Sequence, residues 1–194
     1  MRAMTLFKNK YRVESTRLPG WDYGNVGYYY VTICTKDRAH FFGDVVAEDV
    51  VLSAIGEIVA DEWLKTECLR DNVRLDAWMI MPNHMHLILV ITYRVESVGE
   101  GGTFQKNKTP QRGVSTGVAS EKWAGNTVGS IVGQFKGACT KRIWAEGFNE
   151  FAWQPRFFDR IIRSEDELHR ARHYIASNPV NWDKDRDNMA GLYM

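Results

Sequence analysis

Two runs of strand-forming residues, Arg74–Met81 and His84–Ile91, are separated only by Pro82-Asn83. So short a connection leaves room only for an antiparallel hairpin, and this hairpin anchors any sheet the chain can build. Upstream, residues 27–35 (Gly-Tyr-Tyr-Tyr-Val-Thr-Ile-Cys-Thr) are rich in β-branched and aromatic types and read as a strand. From Val50 to Leu64, apolar residues at 51, 52, 55, 58, 59 and 63 trace one face of a helix. Val128, Ile131, Val132, Phe135, Cys139 and Ile143 trace a second. Arg156–Arg163 reads as a fourth strand, and Ser164 with Glu167 forms a capping-box pattern that opens a third helix. That helix should end near Asn178, because Pro179 disfavours helical geometry in the residue before it. Residues 93–126 are rich in glycine, carry little periodicity and read as a long flexible insertion. The expected fold is α+β and ferredoxin-like: a four-stranded antiparallel sheet with two helices on one face, plus a C-terminal helix. Such a fold serves many activities, so function has to be read from particular residues.

At 194 residues, with 44% apolar and 25% charged side chains, the chain fits one domain spanning 1–194. Cys34, Cys68 and Cys139 lie far apart with no CxxC pair, which argues against a disulfide framework or a zinc ribbon and for a reducing compartment. The N-terminal stretch has no apolar core of signal-peptide length, and Leu87–Ile91 is too short to span a bilayer. A cytoplasmic protein is expected. The formal net charge is only +1, but it is unevenly distributed. Residues 1–43 carry +4 and residues 103–163 carry +6, against −6 over residues 44–76. Such a polarised surface is compatible with a polyanionic partner despite overall neutrality.

The chemistry concentrates at His84-Met85-His86. On a strand, alternate side chains share a face, so both imidazoles point one way and can share a metal ion while Met85 packs under the helices. Taken alone, two of the five histidines falling two apart on an exposed sheet face is an equally good reading. In the last helix, Tyr174 and Asn178 lie one turn apart on one face. Tyr174 offers a nucleophile and Asn178 a carbonyl oxygen.

Met81-Pro82-Asn83-His84-Met85-His86 resembles the HUH motif of the single-tyrosine transposases. Trp153–Arg163 and His173–Val180 resemble the REP-associated tyrosine transposase branch of that superfamily. So does Arg17–Tyr23 leading into Tyr30–Thr35. The resemblance covers most of residues 12–182 outside the insertion. It implies a metal-dependent single-stranded DNA endonuclease and strand transferase acting at or near DNA hairpins of REP type, as monomer or homodimer. His84 and His86 are then metal ligands, with Asn178 in the place of the third, and Tyr174 is the catalytic tyrosine, forming a 5′-phosphotyrosine. The implied metal is Mg²⁺ or Mn²⁺, although two imidazoles also suit zinc or nickel. An unperturbed tyrosine, with a pKa of about 10, is only about 0.1% phenolate at neutral pH. Arg170, one turn before Tyr174, supplies helpful positive charge. Arg12, Arg17, Lys136, Arg156 and Arg170 are the expected DNA contacts, with Gln154 a candidate reader of base edges. Two alternatives share much of this sequence pattern. One is a domesticated site-specific nickase without mobility; the other is a non-enzymatic ferredoxin-like module that binds RNA or single-stranded DNA on aromatic strands.

Overall fold

The computed structural model describes residues 17, 18, 20–93 and 126–184. Arg12 and nearly all of the expected insertion lie outside them. The first strand, β1 (Gly27–Cys34), is followed by a small hairpin, β2 (Gly43–Val46) and β3 (Asp49–Leu52). Then come α1 (Ala54–Cys68), β4 (Val73–Met81), β5 (His84–Ile91), α2 (Val128–Ala145), β6 (Phe158–Ile162) and α3 (Glu165–Ser177). Four strands form one antiparallel sheet in the order β4-β5-β1-β6. With the two outer helices, this is the ferredoxin-like arrangement expected.

The two faces of β5 serve different purposes. Met85, Leu87, Leu89 and Ile91 point into the main core with Tyr29, Val31 and Ile33 of β1. There they meet Ile55, Ile58, Val59 and Trp63 of α1, and Ile131, Val132, Phe135 and Cys139 of α2. The helices pack on each other through Trp63 and Phe135, with ring centroids 5.3 Å apart. Arg142 of α2 reaches Asp61 and Glu62 of α1 at 3.0 and 3.3 Å. On the opposite face, Ile88 and Ile162 form a second, smaller cluster with Leu168 and Ile175 of α3. His84 and His86 share that side.

Two boundaries differ from expectation. Val50–Leu52 belong to β3 and pair with Gly43–Val45, so α1 begins four residues later and extends to Cys68. The helical period had absorbed Val51 and Leu52, but the helix is capped by Ser53, whose side chain accepts the Gly56 N–H. The fourth strand is shorter than its apolar run, because Arg156 turns the chain at φ 68° before Phe158 begins β6. The third helix starts where expected, since the Ser164 hydroxyl accepts the Glu167 N–H at 3.2 Å. Glu167 returns the contact to the Arg163 N–H at 3.0 Å. Among the described residues, no helix is long and apolar enough to cross a membrane.

Two glycines test this packing in opposite directions. A Cβ on Gly56 would stand 2.1 Å from the Phe42 carbonyl oxygen, whereas one on Gly133, inside α2, meets nothing within 4 Å. Gly56→Ala is expected to lower unfolding free energy by about 3 kcal/mol. Gly133→Ala should raise it by about 0.5–1 kcal/mol. Urea denaturation midpoints of the two variants check both signs.

Candidate active site

His84 and His86 are fully buried, and their Nε2 atoms converge to 3.0 Å. The opposite edge of each ring is held from behind. The Nδ1 of His84 lies 2.8 Å from Asn83 Oδ1, while the Asn83 amide nitrogen donates to the Arg38 carbonyl at 3.2 Å. Because the amide nitrogen is engaged, its oxygen faces the ring, and His84 must donate from Nδ1. Its Nε2 is then the acceptor in the contact with His86. The Nδ1 of His86 sits 2.9 Å from Thr32 Oγ1 and 2.8 Å from the Tyr30 hydroxyl, both on β1. Sheet register explains this contact, since Thr32 pairs directly with His86. Such outer contacts fix ring orientation for whatever the inner nitrogens hold.

Helix α3 roofs this pair. The Tyr174 ring stands 5.2 Å from that of His86 and 6.4 Å from that of Tyr30, with 44% of the residue exposed. Eight residues later, Trp182 packs 5.9 Å from His84 and 5.7 Å from His40. Asn178, midway between Tyr174 and Trp182 in sequence, closes α3. It is 3% exposed, and its side-chain oxygen finds no hydrogen-bond partner among the described residues. A buried, unsatisfied amide oxygen costs free energy unless something outside the chain satisfies it. Among the described residues, no three His, Cys, Asp or Glu side chains group as a metal cage. The donors that the structure brings together here are the two imidazole nitrogens. One chain brings His84, His86 and Tyr174 together, because α3 packs on its own sheet.

The basic candidates divide. Arg170 is exposed on α3, one turn before Tyr174. Lys136, Gln154 and Arg156 form one group, in which the Lys136 ammonium donates to the carbonyls of Gln154 at 2.7 Å and Arg156 at 3.1 Å. Burial pulls the Lys136 amine below the ordinary lysine range. This lysine therefore pins the loop, leaving the Gln154 and Arg156 side chains exposed. The Gln154 N–H donates to the Cys34 carbonyl, and Cys34 pairs with His84, so the loop borders the histidine end of the sheet. Arg17 is partly committed elsewhere. Its Nε bonds buried Asp159 at 3.1 Å, and its guanidinium stacks over Tyr23 and Phe157. Sequence reasoning missed Thr32, Tyr30 and Trp182 as neighbours of the histidines. Only the β1–β5 register and the turn beyond α3 reveal them.

No protein-family model matches the chain. An uncharacterized protein of Haemophilus influenzae is 31% identical over 176 residues, spanning 89% of this chain and 91% of the other. The two belong to one family. Among solved structures, a REP-associated tyrosine transposase bound to a REP hairpin superposes with a TM-score of 0.54. It is 18% identical, and the match covers 88% of this chain and 74% of that one. The fold implied by the motif resemblance is thus the fold observed, and the family shared with the Haemophilus influenzae protein carries it.

The orientation argument for His84 is directly testable. In its neutral form His84 should show the Nδ1–H tautomer in ¹⁵N–¹H long-range NMR correlation, and Asn83→Leu should release it to the other tautomer. An Nε2–H signal in the unmodified protein would overturn the assignment.

Proposed function

We propose that this chain is a divalent-metal-dependent endonuclease and strand transferase for single-stranded hairpin DNA, with Tyr174 as the nucleophile. The observation that carries the reading is the Tyr174 ring seated against His86, above two imidazole nitrogens 3.0 Å apart. In the structure that spacing is a hydrogen bond between the two rings, whose proton a bound cation would replace. His84 and His86 would hold the cation, which the motif resemblance makes Mg²⁺ or Mn²⁺. The unsatisfied oxygen of Asn178 is the natural third donor. Asn83, Thr32 and Tyr30 would keep the imidazole lone pairs aimed inward.

Bound there, the cation would supply Lewis-acid neutralisation of a non-bridging oxygen on the scissile phosphate. The Tyr174 oxygen attacks phosphorus and gives up its proton to solvent. The bond from phosphorus to the 3′ oxygen breaks, and that oxygen takes up a proton to become a free hydroxyl. The 5′ end remains as a phosphotyrosine diester, so one diester replaces another and the step stays reversible. Attack by another 3′-hydroxyl rejoins the strand, an outcome unavailable to a hydrolytic nuclease.

Several features support hairpin DNA as substrate. The transposase of similar fold was solved with a REP hairpin. Gln154 and Arg156 stand exposed at the histidine end of the sheet, and Arg170 is exposed one turn from Tyr174. The face carrying Tyr30 and His86 is roofed by α3 rather than open, which suits a reaction chamber better than a base-stacking platform.

Incubation with an end-labelled single-stranded hairpin library and Mn²⁺, followed by denaturing electrophoresis, should yield a covalent protein–DNA band. Tyr174→Phe should abolish the band, and His84→Ala or chelator should reduce it at least about 100-fold, in line with loss of transition-state charge stabilisation. Cleavage surviving Tyr174→Phe would overturn the covalent mechanism.

A further inference from the structure

Helix α3 is held unusually lightly for an element bearing a nucleophile. Only Leu168 and Ile175 of its residues are buried, while α1 and α2 bury six each. Polar contacts therefore have a larger share in deciding where it sits. Near its start, Glu167 pairs with Arg160 of edge strand β6 at 2.7 Å. Toward its end, Arg172 reaches the opposite edge strand, β4. There it meets Asp76 through two parallel bonds, Nε to Oδ1 at 2.8 Å and one terminal nitrogen to Oδ2 at 2.7 Å.

The local backbone at Asp76 is built for this contact. Between Leu75 and Trp78 the β4–β5 register slips, so that β4 holds one more residue than β5 over the same span. Leu75 packs with the main core and Ala77 with the α3 cluster, so the extra residue lets Asp76 and Ala77 both serve the α3 side. The amide of Ala77 donates to Asp76 Oδ1 at 2.7 Å. One carboxylate thus caps the bulge and receives the fork of Arg172. Bulges beside functional sites commonly re-aim a side chain in this way, and a forked guanidinium–carboxylate pair fixes orientation as well as distance.

We propose that Asp76 and Arg172 are positioning residues that set the rotation and height of α3, and so place Tyr174 over the His84–His86 pair. The inference rests on the nuclease reading for its catalytic consequence, but the latch itself does not. Hydrogen bonding from Arg172 holds the Asp76 carboxyl below the ordinary carboxylate range, so the pair stays charged at neutral pH.

The test compares the full chain with Asp76→Asn, Arg172→Gln and the exchanged pair Asp76→Arg/Arg172→Asp. Asp76→Asn is informative because an amide oxygen still caps the bulge while the charge is lost. Amide hydrogen exchange over residues 168–177 should quicken at least about tenfold in each single variant, with β1 and β5 unchanged. Formation of the Tyr174–DNA adduct should slow at least tenfold while hairpin affinity stays within twofold, and the exchanged pair should recover part of both effects. Unchanged exchange in α3 would overturn the latch. Faster exchange with an undiminished adduct rate would overturn its positioning role. If the unmodified protein forms no adduct, the nuclease reading and the catalytic consequence fall, and exchange alone decides whether the latch exists.

Discussion

Bringing two imidazole Nε2 atoms to 3.0 Å inside a protein demands that both rings be gripped from their far side. Here the grip comes from two directions. Asn83 belongs to the turn of the hairpin, and Thr32 and Tyr30 belong to the neighbouring strand. The β1–β5 pairing must therefore be in register for the nitrogens to converge, since a slip of one residue would turn Thr32 away. That register is fixed from the opposite face, where Val31, Ile33, Met85 and Leu87 are fully buried. The polar site depends on the apolar core through a shared backbone.

The sequence made the architecture readable because its strongest signals were local. Pro82-Asn83 joins two strands of clear character, and the apolar positions of α2 recur at helical spacing from Val128 to Ile143. The β2–β3 hairpin was hidden because Val51, Leu52 and Ile55 continue a helical period across a real boundary. The histidine pair and Tyr174 were legible from alternation, helical spacing and resemblance. Their supports were not: the approach of Thr32 to His86, and that of Arg172 to Asp76, span 54 and 96 residues. No periodicity encodes a contact of that separation. The bulge at Asp76 was likewise invisible, since one extra residue in a long strand leaves composition unchanged.

The basic side chains teach a related lesson. Positive charge in a segment marks a candidate surface, but folding consumes part of it. Lys136 is drawn inward to hold two carbonyls, and Arg17 is committed to buried Asp159. Arg142 bridges α2 to acidic residues of α1, so part of the basic 103–163 segment cancels part of the acidic 44–76 segment within the fold. Among the described residues, Gln154 and Arg156 of the loop and Arg170 of α3 keep their side chains exposed.

Alternation along β5 has an evolutionary consequence. Met85 and His86 are adjacent in sequence yet belong to different environments, one to the core under α1 and α2, the other to the chamber under α3. Substitutions on the two sides meet different side-chain neighbours, but both act on the one backbone that holds the register. Selection can then retune the chamber, its roof helix and the groups that orient its histidines while the core side is held to exchanges that conserve volume and keep that register. A lineage of such proteins would be expected to diverge at two speeds, one for each side of the same eight residues.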